Sequence, residues 1–257
     1  VKVTPASSFQ IREWGAQDEW LGNIEGTRKY RYQPIKRSSD WRNLKTIDPR
    51  SGSLGNQLKC LQQVVQTFPD TPVIQTVFSP LAQAKNLAGD RLLGDLRRRP
   101  DDSKAGLDTI TQSTIAFVEA IKTTGAAGIF YAVQLATSDS LSVDEYRQFG
   151  REYDLRILST LKNLWLNVAH IHGENIYFDL VADYPIQVWN WHDRETAPTL
   201  QEGLTKIKGA ACGGLNRDMV MLRGRPEAVQ QEVADAIDQT GGRRLIVGTG
   251  CVMMVPT

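Results

Sequence analysis

Three histidines and three cysteines limit the metal and nucleophile chemistry open to this 257-residue chain. His170 and His172 stand two apart where a short apolar run, Leu164–Val168, gives out, and Gly173 follows them. In an extended strand, residues two apart share a face. Two neutral imidazoles on one face, beside a glycine that admits another group, have the form of a metal-ligand pair. They can equally hydrogen-bond within a loop. Cys251 closes the segment Gly248-Thr249-Gly250-Cys251, and His192 lies in Trp191-His192-Asp193. Each of these residues ends a stretch that reads as a strand.

The elements that must position them follow from hydrophobic periodicity. Strands are expected at Val1–Thr4, Val73–Phe78, Gly125–Val133, Leu166–Ile171, Ile186–Trp191, Gly209–Gly214 and Arg244–Val247. Helices are expected between them, at Leu54–Phe68, about 80–88 and 91–98, Ser103–Thr123, Leu141–Leu164, Asn175–Ala182, near 199–205 and Pro226–Gln239. Residues 11–53 form a long polar insertion with one hairpin arm at Arg28–Gln33, suited to a lid. Strand–helix alternation means a parallel sheet. Seven strands, with the chain stopping at Thr257 without a helix, fit a single (β/α)₈ TIM barrel over 1–257 that lacks its first strand and last helix here. A doubly wound sheet is the competing architecture, but no G-x-G-x-x-G or Walker A pattern is present.

In such barrels the active site lies at the C-terminal ends of the strands. His170, His172 and Cys251 can therefore converge, and two imidazoles with one thiolate leave an open position on a tetrahedral metal, the form of a catalytic zinc site. Cys251 has the alternative role of a small buried hydrophobe. His192 and Glu174 are the candidate catalytic groups, Glu174 also as an acceptor that orients an imidazole. Ser79, Gln134 and Asn190 at strand ends, and Arg217, are the candidate substrate contacts. A formal net charge of +1 gives no general attraction to nucleic acid or membranes. No apolar run reaches the length of a membrane span. Three widely spaced cysteines argue against a disulfide framework and for a reducing, cytoplasmic setting.

Several motifs resemble the uroporphyrinogen decarboxylase superfamily, whose fold is a (β/α)₈ barrel. They are Phe78-Ser79-Pro80, the helix Asp144–Phe149 with Tyr153, the helix start Gly224-Arg225-Pro226-Glu227-Ala228-Val229, and Gly248-Thr249-Gly250-Cys251. The decarboxylase branch of that family acts on uroporphyrinogen without metal, through an aspartate after the second strand. The matching stretch here, Val3-Thr4-Pro5-Ala6-Ser7-Ser8, has none. The cobamide-dependent methyltransferase branch carries zinc on a His-x-Cys-Gly pair and a distant Gly-Cys. His170-Ile171-His172-Gly173 matches with histidine in place of the first cysteine, and Cys251 matches the second. The resemblance implies a zinc-dependent methyl transfer between a corrinoid, free or carried by a corrinoid protein, and a thiol or related acceptor. The alternatives are a uroporphyrinogen decarboxylase of tetrapyrrole biosynthesis and a non-catalytic corrinoid-binding barrel.

Overall fold

The computed structural model describes residues 1–253, so the expected helix-free end at 254–257 lies outside the described residues. Seven parallel strands form one sheet: β1 (Lys2–Val3), β4 (Ile74–Phe78), β5 (Gly128–Val133), β6 (Val168–Ile171), β7 (Val188–Trp191), β8 (Ala210–Leu215) and β9 (Leu245–Thr249), hydrogen-bonded in that order. A small antiparallel hairpin, β2 (Gln17–Glu19) and β3 (Lys29–Tyr32), stands apart. Residues from the first and the last strand of the sheet line one cavity with those between. The sheet is therefore curled into a half-barrel, open between β1 and β9 among the described residues. All seven expected strands are present, several a residue or two shorter than their apolar runs.

The helices α1 (Gly52–Thr67), α2 (Pro80–Ala88), α3 (Arg91–Arg98), α4 (Pro100–Lys122), α5 (Val143–Tyr146), α6 (Glu152–Leu158), α7 (Phe178–Val181), α8 (Leu200–Lys206) and α9 (Pro226–Thr240) connect the strands. Pro80, Pro100 and Pro226 each open a helix at the first turn, where the missing N–H costs nothing. The long helix expected at Leu141–Leu164 is divided. Ser142 and Glu145 form the capping box that starts it, but a π-turn at Arg147–Arg151 interrupts it and α6 stops at Leu158. The π-turn falls where Gly150 lies flat against the Tyr146 ring, a contact that any side chain would block. It lets Tyr146 and Asp154, eight residues apart, face the same buried spot.

The 11–53 insertion is more than a solvated excursion. Ile11, Ile35, Trp41 and Ile47 are buried in the main core, and the Trp41 indole N–H donates to Asp95 at 2.9 Å. Its β2–β3 hairpin carries a tip, residues 25–28, that reaches the cavity wall.

Candidate metal centre

The cavity inside the curl holds about 660 Å³. Its lower walls are apolar, from Ile74, Phe130, Val168, Val188 and Ile246, and its upper end carries His170, His172, Asn190 and Cys251. The parallel register explains the grouping. His170 lies opposite Asn190, and Asn190 opposite Cys212, so inward-facing residues of β6, β7 and β8 form one layer.

Asn190 decides the state of His170. Its amide NH₂ donates to the backbone carbonyls of Cys212 (2.8 Å) and Thr249 (3.1 Å), which leaves its carbonyl oxygen facing His170 Nδ1 at 2.7 Å. An oxygen can only accept there, so Nδ1 carries the proton and Nε2 presents a lone pair. That lone pair points to Cys251 Sγ, 3.8 Å away. His172, one register step further on, brings Nδ1 to 3.6 Å from the same sulfur. Gly173 has no neighbour that a side chain would strike; its φ of +110° is what turns the chain away after the second imidazole.

Cys251 reaches this point because Gly250 has no side chain. A Cβ at 250 would lie 2.5 Å from the Trp191 carbonyl oxygen and 2.6 Å from His192 Cα. The end of β9 is thereby pressed onto the end of β7, which also brings in His192. Its ring centroid is 5.1 Å from that of His172 and 5.9 Å from that of His170. Glu195 accepts from His192 Nδ1 at 3.2 Å, so the lone pair is on Nε2. That nitrogen is buried and has no hydrogen-bond partner among the described residues.

One ligand atom from each of His170, His172, His192 and Cys251 falls within 4.8 Å of the others. Burial, aided by His172, holds the His170 imidazole down to about 3, and burial likewise lowers His172. Both rings are therefore neutral at ordinary pH, the form that binds metals. Burial also pushes the Cys251 thiol above its usual range. A bound cation would reverse that, since a coordinating thiol loses its proton. Nitrogen and sulfur ligand atoms gathered at one point, with a buried nitrogen left unpaired, fit a borderline-soft cation such as zinc.

The remaining expected site residues divide. Asn190 lines the cavity, but its polar atoms are spent on His170 and the backbone. Gln134 lines the cavity, and its side chain makes no hydrogen bond among the described residues, as suits a substrate contact. Arg217 also lines it, paired with Glu25 of the insertion (3.4 Å) and with Glu195 (3.5 Å). Ser79 is not brought to the site: it is fully buried, and its hydroxyl accepts from the Ala82 N–H to cap α2. Glu174 is exposed and contributes only its backbone carbonyl, to the Thr137 hydroxyl. The chain turns at Gly173 before it can aim that carboxylate inward. Two participants escaped the sequence reading. Glu195, three residues after His192, follows a legible spacing; Lys2 does not. Its ammonium lies 4.2 Å from the centre of the Phe130 ring, which stacks on His170 at 5.4 Å. Burial lowers the pKa of that lysine.

A half-barrel of parallel strands with a histidine–cysteine cluster at its C-terminal mouth defines the class of protein. Residues 25–257 match the family Uroporphyrinogen decarboxylase (URO-D), and the chain belongs to that family. It is 24% identical over 229 residues to the methylcobamide:CoM methyltransferase MtbA of Methanosarcina acetivorans, covering 87% of this chain and 66% of that protein. The chain thus spans just under two thirds of that relative's length. A methyltransferase from Methanosarcina mazei superposes with a TM-score of 0.85 at 19% identity, over 100% of this chain and 76% of its own. A B12-independent methionine synthase from Shewanella has a TM-score of 0.60 at 13% identity, over 94% of this chain and 69% of its own. Among the described residues no helix is long and apolar enough to cross a membrane.

Proposed function

We propose that this barrel is a methyltransferase that moves a methyl group between a corrinoid and a thiol or related acceptor, with zinc held by His170, His172 and Cys251. The observation that carries the reading is the convergence of their ligand atoms at the cavity's upper end. The methylcobamide:CoM methyltransferase relative supports the corrinoid. Zinc at such a site supplies Lewis acidity that lowers the pKa of a bound acceptor group. An imidazole in place of a thiolate makes the site less negative, so acidification should be stronger and the acceptor less nucleophilic.

The chain's own residues do the rest. Asn190 fixes the His170 tautomer, so that ring presents a ligand atom without reorganisation. The apolar walls keep water from the acceptor, and Gln134 and Arg217 offer the polar contacts that orient it. The open mouth leaves room for a corrinoid delivered free or on a partner protein. A reducing, cytoplasmic setting would keep Cys251 available as a ligand.

The decarboxylase reading is less well supported. Among the described residues the one carboxylate on the cavity wall is Glu25, and it is tied to Arg217. The test is to mix the zinc-loaded protein with methylcob(III)alamin and 2-mercaptoethanol. Cob(I)alamin absorbance should appear, and Cys251→Ser should abolish it. Decarboxylation of uroporphyrinogen III by zinc-stripped protein, with no methyl transfer, would overturn the proposal.

A further inference from the structure

We propose that Lys2 marks an anion subsite inside the cavity, and that the substrate is a carboxylate with an apolar body the size of an aromatic ring. The inference rests on the metal reading above only for the far end of that molecule, the group offered to the centre. Four charged side chains line the cavity: Lys2, Glu25, Arg28 and Arg217. Three of them are neutralised. Arg28 pairs with Asp18 at 2.6 Å, and Glu25 with Arg217, which also meets Glu195. Lys2 faces no carboxylate among the described residues; the groups that bear on its charge are the thiols of Cys251 and Cys212. Its ammonium rests on the Phe130 ring, 4.2 Å from the centre. Surface lysines keep their ammonium in water. This one lies against the wall of a mostly apolar chamber, where a cation gains most from a partner of opposite charge.

The surroundings favour a carboxylate. Lys2 stands opposite Ile74 in β4, and Thr4 and Thr76, two residues further along, share their face. Both threonines line the cavity, and their hydroxyls are hydrogen-bonded to each other at 2.8 Å. That bond uses one hydroxyl hydrogen and leaves the other to be donated, a second contact for a carboxylate near the ammonium. Beyond them Val168, Val188 and Ile246 offer no hydrogen bond and suit an apolar body. The Lys2 ammonium and the His170 imidazole both lie against Phe130. A ring-sized acid can therefore place its carboxylate at Lys2 and its opposite end at the centre. A cavity of about 660 Å³ also exceeds what a small thiol fills, and falls in the range that encloses larger organic molecules.

The test is calorimetry on full-length protein, metal-stripped and zinc-loaded, with benzoate, acetate and benzyl alcohol as probes. Metal-stripped wild type should bind benzoate, and bind acetate about tenfold or more weakly because acetate lacks the body. Lys2→Met should weaken benzoate about tenfold or more and leave benzyl alcohol unchanged, while Lys2→Arg, which keeps the charge, should retain benzoate. On zinc-loaded protein 4-mercaptobenzoate should bind more tightly than either benzoate or 2-mercaptoethanol, because a single molecule then engages both points. Benzoate that fails to bind, or that binds Lys2→Met as it binds the wild type, would overturn this inference and leave the metal reading standing. So would 4-mercaptobenzoate that binds no more tightly than benzoate to protein holding zinc. Lys2-dependent benzoate binding in a protein that takes up no zinc would support the subsite and overturn the metal reading instead.

Discussion

Two polar clusters in this molecule, one fully buried and one opening at the barrel mouth, are built in opposite ways. Outside the sheet, Asp154 accepts hydroxyl hydrogens from Tyr131 (2.6 Å), Tyr146 (3.0 Å) and Tyr184 (2.8 Å). Every hydroxyl has a taker, and the group ties β5 to the helices that cover it. At the barrel mouth, His170 Nε2 and His172 Nδ1 share one Cys251 sulfur, and His192 Nε2 has no partner among the described residues. Buried polar groups in native proteins are normally satisfied. A saturated cluster is thus explained by the fold, whereas the incompletely satisfied one is the basis of the proposed metal site. The first cluster should govern stability, the second metal binding, and exchange of a residue in one should leave the other intact.

The sharpest break of that division is Asp154→Ala. It strips three buried hydroxyls of their acceptor and should cost about 3 kcal/mol or more, read from the urea midpoint. Zinc affinity of the remaining folded protein should not change; a parallel loss would mean that the two clusters are coupled. Gly250→Ala should act on both properties, since the new methyl must push the end of β9 off β7. Overpacking of this kind costs about 1–3 kcal/mol, and zinc affinity should fall because Cys251 moves with it. Asn190→Ala should do the reverse of Asp154→Ala, lowering zinc affinity about 10–100-fold through the freed His170 ring. Chelator competition would measure it, and an unchanged affinity would remove Asn190 from the site.

The smallest net effect is the pH dependence of metal-free protein, because the clusters oppose each other. Burial raises Asp154 from 3.8 to about 6. The fold then binds a proton that the unfolded chain has lost, so stability falls as pH rises between those values. His170 moves from 6.5 to about 3, so between those values the unfolded chain binds the extra proton. Its contribution is full above 6.5 and is lost as pH falls towards 3. Urea midpoints at pH 4.5 and 6.5 should therefore rise with pH more steeply in Asp154→Asn than in the wild type, and less steeply in His170→Asn. Slopes that match the wild type would refute both assignments.

Much of this was legible in the sequence, for definite reasons. Short apolar runs mark the strands and helical spacing marks the helices, and parallel topology then places every strand end at one mouth. That suffices to bring Cys251 to His170 and His172. Three things were hidden. The division of the Leu141–Leu164 helix depends on Gly150 packing against Tyr146, a tertiary contact that periodicity does not encode. Ser79 reads as a ligand contact at a strand end, yet the same residue is the cap of α2, and local hydrogen bonding prevails. His192 has the residue type for acid–base work, and spacing does not reveal that its Nε2 is buried without a partner among the described residues. Spacing shows where side chains start; it does not show which of their atoms are already committed.

Titration of metal-stripped full-length protein with zinc in a calorimeter tests the central claim most directly. The wild type should bind one zinc per chain. Cys251→Ser and His170→Ala should each weaken that site by more than the roughly 100-fold loss typical of a supporting residue. A wild type that takes up no zinc, or variants that bind it as the wild type does, would contradict the account.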